Sequence, residues 1–126
     1  MISILDQEFS ALNQYIAEQN PSQIFILVDE NTHENCLPTL LANLETEIPF
    51  EIIEIEAGED AKTIATATQL WEILAEFKAD RKSLLLNLGG GVITDMGGFV
   101  ASTYKRGIKF LNIPTTLLAM CDASLG

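Results

Sequence analysis

The chain has 126 residues, 48% of them hydrophobic, and a formal net charge of −11; that is enough for one packed domain and too apolar for a disordered one. The acidity argues against nucleic acid or an anionic membrane surface as partner, because both need a basic field. No apolar run approaches the roughly 20 residues that span a bilayer.

Asp6 to Gln19 places Phe9, Leu12, Ile16 and Ala17 on one stripe and predicts an amphipathic helix. The segment before Asn20 has no Lys or Arg and reads as neither a signal nor a transit peptide. Gln23 to Val28 is a short continuous apolar run after Pro21, a buried strand. Thr32 to Leu44 predicts a helix along Cys36, Leu37, Leu40, Leu41 and Leu44, with Asn31 and Glu34 as its cap and Pro38 disturbing the first turns. Phe50 to Ile55 is a second strand. Lys62 to Lys78 carries Ile64, Ala67, Leu70, Trp71, Leu74 and Phe77 on one helical face. Ser83 to Leu88 is a strand buried on both sides, Thr94 to Tyr104 a helix, Lys109 to Ile113 a strand ended by Pro114, and Thr115 opens another helix. The alternation predicts an α/β fold: a Rossmann-like parallel sheet with helices on both faces. Cys36 and Cys121 form no C-x-x-C and read as buried thiols of a cytoplasmic protein.

Charge is distributed unevenly. Residues 1–61 hold 13 Asp and Glu and no Lys or Arg, while all seven bases lie in residues 62–126. An anionic ligand must therefore be held by local geometry. In parallel sheets ligands bind outside the carboxyl ends of the strands. That rule selects Asp29-Glu30, Gly58-Glu59-Asp60, Gly89 to Asp95 and Pro114 to Thr116.

The run Gly89-Gly90-Gly91-Val92-Ile93-Thr94-Asp95 is the most telling of these. Glycine permits φ > 0 and close approach of another group to the backbone, and a helix N-terminus behind it offers unpaired N–H groups and about half a positive charge. That combination makes a phosphate cradle, although a tight turn that binds nothing has the same look. It is not G-x-G-x-x-G, because Thr94 stands at the last glycine position. Asp95 fits either a helix-start acid or an acceptor for sugar hydroxyls, and Asp29 either a cap or a ribose ligand. Glu59 and Lys62, three apart, fit a surface ion pair or a ligand contact. Thr115 and Thr116 can cap a helix or face a ligand. Lys105-Arg106-Gly107 with Lys109 is the densest positive charge, a solvated turn or an anion contact. His33 is the single histidine and builds no metal site by itself.

Taken together, Gly89 to Asp95, Gly98-Phe99-Val100-Ala101-Ser102-Thr103-Tyr104-Lys105-Arg106-Gly107 and Ile113-Pro114-Thr115-Thr116-Leu117-Leu118-Ala119-Met120-Cys121-Asp122-Ala123-Ser124-Leu125-Gly126 closely resemble 3-dehydroquinate synthase. The resemblance is tight from Leu84 to Gly126 and loose before it, through Asp29 and Gly58-Glu59…Lys62. It implies a metal-dependent lyase of the shikimate pathway of aromatic amino acid biosynthesis, which converts 3-deoxy-D-arabino-heptulosonate 7-phosphate to 3-dehydroquinate plus phosphate. NAD is regenerated each turn, and a divalent metal (zinc or cobalt) polarises substrate hydroxyls. Carried over by position, Asp29 would hold the adenosine ribose, and Glu59 and Lys62 would contact NAD. Gly90, Gly91 and Val92 would present backbone to the diphosphate, and Asp95, Thr115 and Thr116 would meet the nicotinamide half. Asp122 would lie near substrate and cofactor, and Arg106 would reach the substrate phosphate across a homodimer interface.

Two departures qualify the resemblance. The family usually has glycine where Thr94 stands. Its metal ligands and further lysines belong to a helical second half with no counterpart in this sequence. The expectation is therefore a domain spanning residues 1–126 that is the cofactor-binding half of a longer enzyme, inactive by itself. The alternatives are another sugar-phosphate cyclase of the same fold, an iron-containing alcohol dehydrogenase, which fits the Tyr-Lys-Arg-Gly segment less well, or a non-catalytic nucleotide-binding module.

Overall fold

A computed structural model describes residues 4–115 and builds the predicted alternation into one sheet. β1 (Ile24–Asp29), β2 (Phe50–Ile55), β3 (Leu84–Leu88) and β4 (Lys109–Ile113) run parallel in the order β2-β1-β3-β4. α1 (Ile4–Gln19) leads into β1, α2 (Glu30–Asn35) and α3 (Leu37–Asn43) connect β1 to β2, α4 (Ile64–Glu76) connects β2 to β3, and α5 (Gly91–Thr103) connects β3 to β4.

The period-2 alternation of the strands sorts the core into two layers. Phe25, Leu27 and Leu85 pack with Ala67, Leu70 and Leu74 of α4 and with Ile93, Met96 and Val100 of α5. Ile24, Ile26, Val28, Leu84, Leu86 and Leu88 point the other way, against Phe9 and Ile16 of α1 and Leu37 and Leu40 of α3. Every residue of β3 is buried, as a central parallel strand requires. The edge strands differ from the expectation of cover on both faces: Phe50 and Ile52 of β2 and Phe110 of β4 remain exposed.

Three boundaries are corrected. The predicted helix Thr32–Leu44 is two helices, because Pro38 sits in the first turn of α3 and cannot donate the hydrogen bond that would join them. Its cap is Asp29 with Thr32, not Asn31 with Glu34: Asp29 Oδ1 accepts from Thr32 N at 2.8 Å while Asp29 N donates to Thr32 Oγ1 at 3.0 Å. α5 starts at Gly91 rather than Thr94, so the glycine run is itself the helix entry. Among the described residues, no helix is long and apolar enough to cross a membrane.

Candidate functional site

The strand order locates a crevice before any side chain is considered. The chain leaves β1 to form β2 on one side, while β3 lies on the other. The direction of winding therefore reverses between β1 and β3, and the crevice opens above their carboxyl ends. Asp29 closes β1, and Leu88-Gly89 closes β3.

The turn from β3 into α5 forms one wall of that crevice. Gly90 is the N-cap at φ −83° and ψ −157°, and no side chain caps the helix. The first inward bond runs from Thr94 N to Gly90 O at 3.0 Å. The N–H groups of Gly91, Val92 and Ile93 precede it, with the positive end of the helix dipole behind them. Gly90 and Gly91 are exposed, and a Cβ on either would meet nothing within 4 Å. Gly89 is different: a Cβ there would stand 2.8 Å from Ile93 Cγ1, so this glycine serves packing. The run does not use the positive φ that glycine permits. Among described glycines only Gly58 and Gly107 have positive φ, so what Gly90 and Gly91 provide is unobstructed access to backbone. Thr94 does not disturb the turn, because its hydroxyl donates to Gly91 O at 3.1 Å.

Asp95 belongs to the second turn of α5 and not to its first, which weakens the helix-start explanation for its charge. It pairs with Lys62, Nζ to Oδ2 at 2.9 Å, and both side chains are about half exposed at 46% and 57%. The bond from Asp95, then its charge, then that of Glu59 raise the Lys62 ammonium above its ordinary pKa. Lys62 thus takes Asp95 as its partner rather than the Glu59 expected from spacing. The pair borders a groove of about 290 Å³ lined also by Thr63, Ile64, Ala67, Met96 and Phe99. Glu59 is exposed in a short 3₁₀ turn, Glu59–Ala61.

Asp29 is half-buried, with Oδ1 committed to its cap and Oδ2 left for another donor. Beside it, Glu30 Oε2 accepts from Ala57 N at 3.0 Å and draws the loop after β2 towards the crevice. Thr115 stands half-buried just past the carboxyl end of β4. Thr116 and Asp122 lie outside the described residues.

Arg106 is not brought to this rim. It lies in the tight turn from α5 to β4, closed by Gly107 N to Tyr104 O at 2.7 Å and Ile108 N to Ala101 O at 2.8 Å. That turn sits at the amino edge of the sheet, one strand length of about 16 Å from the carboxyl edge. Lys78, Arg81, Lys82, Lys105 and Lys109 occupy the same edge, in the α4–β3 and α5–β4 connections or at the start of β4. Among the described residues no group of three His, Cys, Asp or Glu side chains can hold a metal, so no metal chemistry is assigned to them.

Sequence reasoning missed Asn87. It is fully buried, donates from Nδ2 to Asn112 Oδ1 at 3.0 Å, and lies directly under Gly97 of α5. The available signals were an amide in an otherwise aliphatic strand and a glycine in a helix interior.

Comparison with known proteins gives the family and the fold. The family model for the 3-dehydroquinate synthase N-terminal region matches residues 52–126. A 3-dehydroquinate synthase of Parabacteroides distasonis is 44% identical over 117 residues, covering 93% of this chain and 33% of that one. Among solved structures, a 2-deoxy-scyllo-inosose synthase superposes with a TM-score of 0.77 at 26% identity, over 94% of this chain and 34% of that one. The 2-epi-5-epi-valiolone synthase of Streptomyces hygroscopicus subsp. jinggangensis 5008, solved with NAD+ and Zn2+ bound, gives a TM-score of 0.70 at 30% identity, over 98% of this chain and 33% of that one. The chain thus spans about a third of the length of the relatives it matches.

Proposed function

The chain belongs to the 3-dehydroquinate synthase family, and from that premise we propose that it is the NAD-binding portion of an enzyme that converts 3-deoxy-D-arabino-heptulosonate 7-phosphate to 3-dehydroquinate and phosphate in the cytosol. One observation carries the reading: an uncapped helix N-terminus behind two glycines with open space in front, at the reversal point of a parallel sheet. Oriented N–H groups without side-chain cover suit a diphosphate, which needs several donors converging on closely spaced oxygens.

On this reading Gly90, Gly91 and Val92 present backbone to the diphosphate. Asp29 keeps Oδ1 on its helix and offers Oδ2 to ribose hydroxyls. Glu59, Lys62, Asp95, Thr115 and Thr116 surround the remainder of the cofactor, and Asp122 acts close to substrate. Bound NAD supplies the hydride acceptor and, later, donor, while the protein contributes position and electrostatics. Lys62 and Asp95, the latter on α5, pair with each other at the border of the groove that Met96 and Phe99 also line. Arg106, at the opposite edge, serves the substrate phosphate of a second chain in a homodimer. No group of three His, Cys, Asp or Glu side chains among the described residues can hold a metal.

Calorimetric titration of the chain with NAD tests the reading. Saturable one-to-one binding is expected, weak because the relatives are three times as long and the remaining portion closes over the cofactor. No product is expected from this chain supplied with NAD, zinc and the heptulosonate phosphate. Absence of NAD binding by the folded chain, or turnover by it alone, would overturn the corresponding part.

A further inference from the structure

Asn87 is the one side chain in the middle of the sheet whose chemistry the fold does not explain. It is 0% exposed on a strand whose other members are all leucine. Its Nδ2 is used by Asn112 of β4, its register partner. Its Oδ1 is buried with no conventional hydrogen-bond partner. A buried carbonyl in that state costs free energy and needs an account.

Gly97 supplies one. A Cβ built on Gly97 would fall 1.8 Å from Asn87 Oδ1, 2.3 Å from Cγ and 2.6 Å from Nδ2. No side chain fits there while the Asn87 amide keeps its place. The hydrogen that glycine carries in that direction aims at Oδ1, with the oxygen within about 3.3 Å of the Cα, the range of a Cα–H···O contact. Neighbouring Gly98 makes the contrast: a Cβ there would reach only Phe110, at an ordinary 3.5 Å. Of the two adjacent helical glycines, only the first is dictated by contact.

We propose that Asn87 is a positioning residue: its amide group links β4, through Asn112, to α5, through Gly97, and so fixes how far the glycine turn stands above the β1–β3 crevice. Asn87 is two residues before Gly89, and Gly97 is two turns into the helix that Gly91 begins. Tying these points together closes the strand–turn–helix unit from beneath. The depth of α5 at Gly97 then sets where the N–H groups of Gly91 and Val92 point. Through Asn112 the same link holds the end of β4, and hence Thr115, in register with the turn. The consequence for ligand binding rests on the NAD reading above, while the consequence for the turn does not.

The test is a swap cycle of Gly97→Ala, Asn87→Ala and the double variant Asn87→Ala/Gly97→Ala, with Gly98→Ala as control. NAD affinity is measured at a temperature where circular dichroism reports each protein folded, and the backbone amide resonances of Gly90, Gly91, Val92 and Thr115 are followed in parallel. Gly97→Ala is expected to displace those resonances and to weaken NAD by about tenfold or more, equivalent to about 1.4 kcal/mol. The double variant, in which the new methyl fills the space vacated by the amide, is expected to recover most of both. Gly98→Ala is expected to change neither. The proposal is overturned if folded Gly97→Ala keeps wild-type resonances at the turn, or if the double variant is no better than Gly97→Ala. Should Gly97→Ala not fold, Asn87→Ala decides: unchanged turn resonances and NAD affinity sink the proposal. A wild-type chain that ignores NAD refutes the cofactor reading, and the resonances still judge the link.

Discussion

Gly90→Val separates a binding glycine from a folding one. At φ −83° and ψ −157° the backbone of Gly90 is extended, and its Cβ direction is empty to 4 Å. A side chain therefore fits without strain. Restricting the unfolded chain favours the variant by about 0.4–1 kcal/mol. Valine is a poorer N-cap than glycine by a comparable amount, about 1 kcal/mol at most. The two offset, so the unfolding midpoint should stay within roughly 4 °C of wild type. Binding should respond quite differently. The isopropyl group occupies the space through which a diphosphate would approach the N–H groups of Gly91 and Val92. Losing two charge-assisted bonds of about 1.5–3 kcal/mol each removes roughly 3–6 kcal/mol, which is more than a hundredfold in affinity. Calorimetry with NAD and thermal unfolding on the same samples read both quantities. A folded Gly90→Val chain that binds NAD like the wild type refutes the cradle, and a collapsed midpoint refutes the claim that the space is open.

Asp29→Ala should lower stability by about 1 kcal/mol through loss of the cap on α2, whereas Asp29→Asn, a good cap in its own right, should keep the midpoint and still weaken NAD; equal NAD affinity for Asp29→Asn and wild type would reduce Asp29 to a cap. Tyr104 is buried with its hydroxyl donating to Ala79 O at 3.0 Å, and burial first, then the charge of Asp80, raise its phenol above the usual 10.0. Because the folded value exceeds the unfolded one, the neutral phenol stabilises fully below pH 10 and that contribution disappears as pH rises through the folded value; the raised Lys62 ammonium adds an alkaline loss of its own, so urea titrations should show a steeper alkaline decline in wild type than in Tyr104→Phe, and parallel declines would contradict the assignment.

Much of the architecture was legible in the sequence because period and composition agreed. The strands Phe50–Ile55 and Lys109–Ile113 fall where the apolar runs place them. The stripe on α5 is a clear helical repeat, with Ile93, Met96, Gly97, Val100 and Ala101 all buried. Its start was misplaced because glycine has low helix propensity, which hides a helix that begins on one. The cap of α2 was misassigned for a similar reason: Asp29 ends a strand and caps a helix at once, and a pattern search gives it only one of the two roles. The Lys62–Asp95 pair spans 33 positions and the Asn87–Gly97 contact depends on how deeply a helix sits on a sheet. Neither has a local signature. The place of Arg106 is a matter of topology, since every helix-to-strand turn of a parallel sheet returns to the amino edge.

The charges explain why the turn is made of glycine and not of lysine. Among the described residues, Asp29, Glu30, Glu59, Asp60 and Asp95 belong to the carboxyl-edge segments, and the one Lys or Arg there, Lys62, is already taken by Asp95. The other six bases stand at the opposite edge. Side-chain charge at the crevice therefore repels an anion, and at physiological ionic strength that field is screened beyond about 8 Å. Main-chain N–H groups act inside that distance, at hydrogen-bond contact, and a helix dipole adds its half charge in the same place. On the proposed reading backbone access decides whether an anion is held, and an added Cβ is expected to remove it where an added charge elsewhere on the rim is not. The basic edge is the complement of this arrangement: one strand length of sheet, about 16 Å, separates Arg106 from the crevice of its own chain, so on the proposed reading Arg106 serves a phosphate bound elsewhere than in that crevice.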